Sequence, residues 1–169
     1  KNWLTLVIDV DNRTPIVAHT IWYKVGSADE QEGESGIAHF LEHLMFRGTK
    51  KYEAGYFSKR ISEIGGEDNA FTTTDLTAYY QNIPAEHIAE IMGMEADRMR
   101  NLSVSNAELI KERNVVLEER DLRTDTNPTS QLIEQMNAVL YRNHPYGSPV
   151  IGWHHEIAAL NKKQVMAFY

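Results

Sequence analysis

Ser35-Gly36-Ile37-Ala38-His39-Phe40-Leu41-Glu42-His43-Leu44-Met45-Phe46-Arg47-Gly48 is the stretch on which the reading of this chain turns. Within it His39 and His43 stand four residues apart with Glu42 between them, in the order H-x-x-E-H. Side chains four apart on a helix lie one above the other, so two such imidazoles can share one metal ion. Glu42 falls on the same arc and can reach a water held there. That is the least set of groups that zinc-assisted hydrolysis needs, written in the order opposite to H-E-x-x-H.

The flanks favour a helix. Ser35 reads as an N-cap and Gly36 as a tight entry from the polar run Asp29 to Glu34. Ile37, Phe40, Leu41, Leu44 and Met45 follow the i, i+3, i+4, i+7, i+8 spacing of an apolar stripe, and Gly48 reads as a stop. At about 100° per residue the stripe faces away from His39, Glu42 and His43. The oily side then packs inward while the polar arc faces a cleft. Two histidines and a glutamate coating a solvated face is the competing reading. A third ligand separates the two, because a hydrolytic zinc takes three protein ligands and keeps one position for water.

The segment Asn106 to Arg123 is the best source of that ligand. Ser105 and Glu108 form an S-x-x-E capping box that opens a helical pattern through Leu109, Val116 and Leu122. Glu112 and Glu119 lie seven apart and so differ by only about 20° in direction, whereas Glu118 points well away. A charged helix of this kind is, on composition alone, an ordinary solvated surface.

Taken together these motifs resemble the inverzincin metallopeptidases, the family of pitrilysin, insulin-degrading enzyme and the mitochondrial processing peptidase. The resemblance rests on His39-Phe40-Leu41-Glu42-His43, on Val115-Val116-Leu117-Glu118-Glu119-Arg120 with its lead-in Lys111-Glu112-Arg113-Asn114, and on Gly65-Gly66-Glu67-Asp68-Asn69-Ala70-Phe71-Thr72 followed by Thr77-Ala78-Tyr79-Tyr80. It spans essentially the whole chain, with the three motifs in order. It implies a zinc endopeptidase in which His39, His43 and Glu119 bind the metal. Glu42 is then the general base that takes a proton from the attacking water and returns it to the leaving amine. Glu112 is expected to orient an imidazole from behind the ligands, with a plain surface glutamate as the alternative.

Ala70 to Thr74 and Leu76 to Ile83 are rich in Thr, Tyr and Phe and predict two strand segments with a turn near Asp75. By resemblance the first is an open sheet edge to which extended peptide adds as a strand. Asn69 and Ala70 would then contact the substrate backbone, and Phe71 would line a pocket. An ordinary hairpin with Phe71 in the core is the other reading.

Composition sets the bounds. Of 169 residues 42% are hydrophobic and 24% charged, as in a soluble globular domain with a real core. A net charge of −7 argues against nucleic acid as a partner. No apolar run approaches the length of a membrane span. With no cysteine, disulfides and thiolate metal sites are excluded, leaving His and carboxylate as ligands. His19, His87, His144, His154 and His155 lack a partner motif, and Met92, Met94 and Met99 read as packing.

The expected fold class is α+β, a mixed or antiparallel sheet with helices packed on it. Strands are predicted over Trp3 to Val10 and Ile16 to Val25. Helices are predicted from Glu53 to Ile64, Pro84 to Arg100, Asn106 to Arg123, Ser130 to Arg142 and Glu156 to Tyr169. The chain begins at Lys1 without an initiator Met and ends at Tyr169. The resemblance implies that residues 1–169 are the N-terminal zinc-binding catalytic half, and that a second, homologous half is absent from this chain. Extended peptide is the expected substrate. The remainder of the protein, or a homologous subunit, is expected to complete the site, so the fragment alone should be weakly active or inactive. Its style resembles bacterial members, which leans toward the periplasm. A catalytically silent subunit that presents peptide is the main alternative to an enzyme.

Overall fold

The computed structural model describes residues 4–169. Its centre is a three-stranded antiparallel sheet in the order β1-β3-β2, formed by β1 (Ile16–Tyr23), β2 (Glu67–Thr72) and β3 (Thr77–Pro84). The registers Ile21↔Tyr79 and Ala70↔Tyr79 put these three side chains in one row across the sheet. In β1 and β2 burial alternates residue by residue, as a half-covered sheet requires, whereas central β3 is buried more continuously. β2 and β3 are joined through Thr73–Leu76, where Thr73 N donates to Leu76 O, so the predicted turn at Asp75 is a hairpin. The α+β class is thus observed.

The helices are α1 (Ile37–Leu44), α2 (Tyr56–Glu63), α3 (Ile88–Asn101), α4 (Asn106–Arg120), α5 (Pro128–Leu140), α6 (His154–Ala159) and α7 (Lys162–Phe168). Ile37, Phe40 and Leu44 of α1 are fully buried with Tyr79 of β3, Val116 of α4, Ile157 of α6 and Val165 of α7. Each such side chain contributes about 1.5–3 kcal/mol on burial. That stripe places α1 between the sheet and α4. A second cluster, Phe57, Ile61, Ile83, Ile91 and Met94, pins α2 and α3 to the far end of the sheet. Beneath it the buried Arg98 pairs with Glu95 and lies against the rings of Tyr79 and Phe57.

Several expectations are corrected. Residues 4–10 form no strand: Leu4, Leu6, Ile8 and Val10 are exposed, and no described strand lies beside them to supply a ladder. Trp3, in the same predicted strand, lies outside the described residues. The predicted C-terminal helix is two, because Leu160 leaves helical geometry and Asn161 opens α7 with its own capping box to Gln164. Ser35 is not the cap of α1. That position belongs to Gly36 (φ +84), and the orphan amides of Gly36 and Ala38 donate to Glu30 instead. Of Met92, Met94 and Met99, predicted to be packing, Met94 is core while Met92 and Met99 are exposed. No helix among the described residues is long and apolar enough to cross a membrane.

Candidate metal centre

α1 brings His39 and His43 to the surface it shares with α4, and α4 brings Glu119. Glu119 Oε2 lies 3.8 Å from His39 Nε2 and 3.3 Å from His43 Nε2. Among the described residues these form the group of potential metal donors, with ligand atoms all within 4.8 Å of one another. Donors about 2.0–2.1 Å from a tetrahedral zinc are about 3.4 Å apart, so the spacing suits such an ion. The other oxygen of Glu119 forms an ion pair with Arg123 at 2.8 Å, and Oε2 is the one that meets the rings. Glu118 is exposed on the other side of α4.

Behind the rings, His43 Nδ1 donates to Glu112 Oε1 at 3.0 Å, which turns Nε2 toward Glu119. Glu112 is 2% exposed, and the Arg47 guanidinium closes on its second oxygen. Glu112 is therefore no surface glutamate. His39 Nδ1 is buried and has no hydrogen-bond partner among the described residues, so packing orients this ring. Glu42, 8% exposed, lines the same cleft and accepts from the hydroxyl of Thr72 on β2.

The electrostatics follow from burial and neighbours. Burial, helped by the charge of His43, pushes His39 down to about 4. Burial also acts to lower His43, but Glu112 and Glu119 outweigh it and hold this imidazole at about 9. Burial raises the carboxyl of Glu42 above the usual range against the opposing bond from Thr72. The bond from His43 lowers Glu119. Burial works to raise Glu112, yet His43 and Arg47 prevail and lower it. One imidazole pushed toward the neutral form and one toward the charged form, both facing carboxylates, make a donor set that could exchange a proton for a metal ion.

The cleft, about 760 Å³, continues from these groups along Asn69, Ala70, Phe71 and Thr72 to Val115, Val150 and Ile151. β2 is an edge of the described sheet. Its Ala70 N–H bonds Asn69 Oδ1 at 2.8 Å rather than β3, so it faces the open side. Phe71 is 38% exposed and meets Trp22 edge to face, which removes it from the core.

Residues 6–153 match the family model described as Insulinase (Peptidase family M16). The chain belongs to that family. Among curated M16 relatives it is similar to the zinc protease PqqE of Helicobacter pylori, 36% identical over 170 residues, covering 100% of this chain and 38% of the relative. A crystal structure of a protease from Helicobacter pylori matches with a TM-score of 0.91 at 36% identity, over 95% of this chain and 39% of that one. The periplasmic protease PqqL from Escherichia coli shares the fold, with a TM-score of 0.81 at 24% identity over 92% of this chain and 18% of that one. The chain thus spans well under half the length of these proteins.

Sequence reasoning missed Thr72, Arg47 and Arg123 in this M16 site. Arg47 follows His43, and Arg123 follows Glu119, at the i+4 spacing that stacks side chains on one helix face, so that signal was available. The regular helix ends at Arg120, short of the predicted Arg123, and Arg123 rides on a π-helical turn, Asp121–Asp125, that continues α4. For Thr72 there was no signal, because it meets Glu42 only through the packing of α1 on β2.

Proposed function

We propose that this chain is the metal-bearing half of a zinc endopeptidase that cleaves extended peptides or unfolded segments. The observation that carries the reading is the convergence of His39 Nε2, His43 Nε2 and Glu119 Oε2 at a spacing that suits zinc, with Glu42 beside them. The names of the zinc proteases among its relatives support the choice of metal. A bound zinc supplies Lewis acidity, lowering the pKa of a coordinated water toward about 7 and polarising a carbonyl.

The protein's own groups then do the following. Glu42, with a carboxyl raised by burial, takes a proton from the attacking water and passes it to the departing amine. One water is consumed: one of its protons reaches the leaving nitrogen through Glu42, the other passes from the new carboxyl group to the amine, and a carboxylate and a protonated amine are left. The Thr72 hydroxyl bonded to Glu42 fixes the direction of that carboxylate. Glu112 holds His43 in the tautomer that presents Nε2. The open edge of β2 receives substrate main chain at Ala70, with Asn69 and Phe71 flanking it. A folded protein seldom offers a free strand, which favours peptides and unfolded segments. The remainder of the protein, or a homologous subunit, covers the cleft and completes it, so this half alone is weakly active at best.

The test is Glu42→Gln in the intact protein. Zinc content should be unchanged while peptide hydrolysis falls by about 10²–10⁴-fold, the usual worth of a general base. Full turnover in that variant would remove Glu42 from the reaction.

A further inference from the structure

Two glycines outside the metal centre meet back to back. Gly36, which opens α1, has φ +84, and Gly152 has φ +87. A Cβ on Gly36 would lie 2.5 Å from Ile151 O, and one on Gly152 would lie 2.4 Å from Ser35 O. No larger residue fits either place, so the backbone of 151–152 lies directly on the entry to α1, three residues before His39. Two hydrogen bonds seal the crossing: Ser35 N donates to Glu156 Oε2 at 2.7 Å, and Trp153 N donates to Ser35 Oγ at 2.8 Å.

The same segment is gripped from its other side. Gly152 O accepts from Arg120 Nη1 at 2.7 Å, and Arg120 is the residue after Glu119. This arginine is 4% exposed, and Glu134 of α5 takes it with two parallel bonds of 2.9 Å. That fork fixes the plane of the guanidinium in a way a single contact would not. Thus one short strap touches α1 just before its first donor and α4 just after its only one.

We propose that Arg120 and Gly152 are positioning residues, whose junction with Gly36 sets the distance between the two metal-bearing helices. The donors come from segments far apart in sequence, so only tertiary contacts can set their spacing, and a tetrahedral ion tolerates little error in it. This inference rests on the metal reading given above. Its contrast lies on the same helix: Arg113 Nη1 donates to Leu160 O at 2.8 Å, a similar tie between α4 and the C-terminal segment, yet it does not touch the strap.

The test compares Arg120→Gln with Arg113→Gln in the intact protein, reading zinc Kd by chelator competition, the absorption of the cobalt(II)-substituted site, and Tm without metal. Arg120→Gln should weaken zinc by about tenfold or more, as loss of groups that orient ligands does, and should alter the cobalt bands. Arg113→Gln should lower Tm while leaving zinc affinity within about threefold of the parent, since it orients no ligand. Should Arg120→Gln not fold, Glu134→Gln serves, because it loosens the fork but keeps the guanidinium, and it should raise the zinc Kd above the parent's. Parent-like zinc affinity in the folded variant of this pair overturns the proposal. Equal weakening by Arg113→Gln also overturns it, because the effect would then be general loosening. A parent protein that binds no zinc overturns the metal reading itself, and the strap with it, a result distinct from either.

Discussion

Replacing Glu112 by Gln keeps the shape of the acceptor behind His43 and removes its charge. Glu112 is buried, its Oε1 takes the Nδ1 proton at 3.0 Å and its second oxygen pairs with Arg47, so the substitution acts through the loss of charge behind His43 rather than through a change of shape. A hydrogen bond to a charged group is worth about 1.5–3 kcal/mol and a neutral one about 0.5–1.5, so support for the metal-bound ring drops by about 1–1.5 kcal/mol. In affinity that is about tenfold, at the lower end of the about 10–100-fold expected of such partners. A second effect opposes it. Without metal the same carboxylate helps hold a proton on His43, at about 9, so at pH 7 zinc must displace that proton. Glu112→Gln weakens the hold and relieves part of the competition. The loss should therefore be about tenfold near pH 9 and distinctly smaller at pH 7. Chelator competition at the two pH values reads both numbers. An identical ratio at pH 7 and pH 9, or unchanged affinity at both, would refute the reasoning.

pH alone should move the metal-free protein. His43 is raised from 6.5 to about 9, so the stability it contributes is complete below pH 6.5 and disappears as pH climbs to about 9. Glu30, raised by burial from 4.5 to about 8, adds a decline of the same sign up to that pH. Zinc stabilisation should grow over the same interval; urea melts at pH 6.5 and 9, with and without zinc, check this, and a metal-free protein that gains stability toward pH 9 contradicts it. Ala70→Pro removes the amide that faces the open edge of β2, and should raise KM for an extended peptide by about 2–10-fold at unchanged zinc affinity. Steady-state kinetics decide, and an unaltered KM would exclude that edge from substrate binding. Ser105→Ala breaks the reciprocal capping box with Glu108 that starts α4, and should cost about 1 kcal/mol in urea unfolding. No measurable loss would mean that packing alone holds that helix end.

What could be read from the chain was whatever depends on spacing within one element. The stripe of Ile37, Phe40 and Leu44 located α1, and the Ser105/Glu108 box located the start of α4. Contacts made across the fold were less accessible. Ser35 has the chemistry of a cap, yet its hydroxyl serves Trp153 while Glu30 takes the free amides of α1. The run from Leu4 to Val10 has strand composition, but a strand exists only beside another, and no described strand adjoins it. The break at Leu160 was readable in principle, since Asn161-x-x-Gln164 is a start signal, but the apolar pattern running through it masked the signal. Arg120 looked like one charge among many on a solvated helix. Its burial comes from Glu134, 14 residues on in α5, and from Gly152, 32 residues on, which no local pattern announces.

Anomalous diffraction at the zinc edge, on crystals of the intact protein grown with zinc, tests the central claim most directly. One peak should appear about 2.0–2.2 Å from His39 Nε2, His43 Nε2 and a Glu119 oxygen, and it should vanish in Glu119→Ala. A zinc peak seated on other residues, or none between α1 and α4, would contradict it.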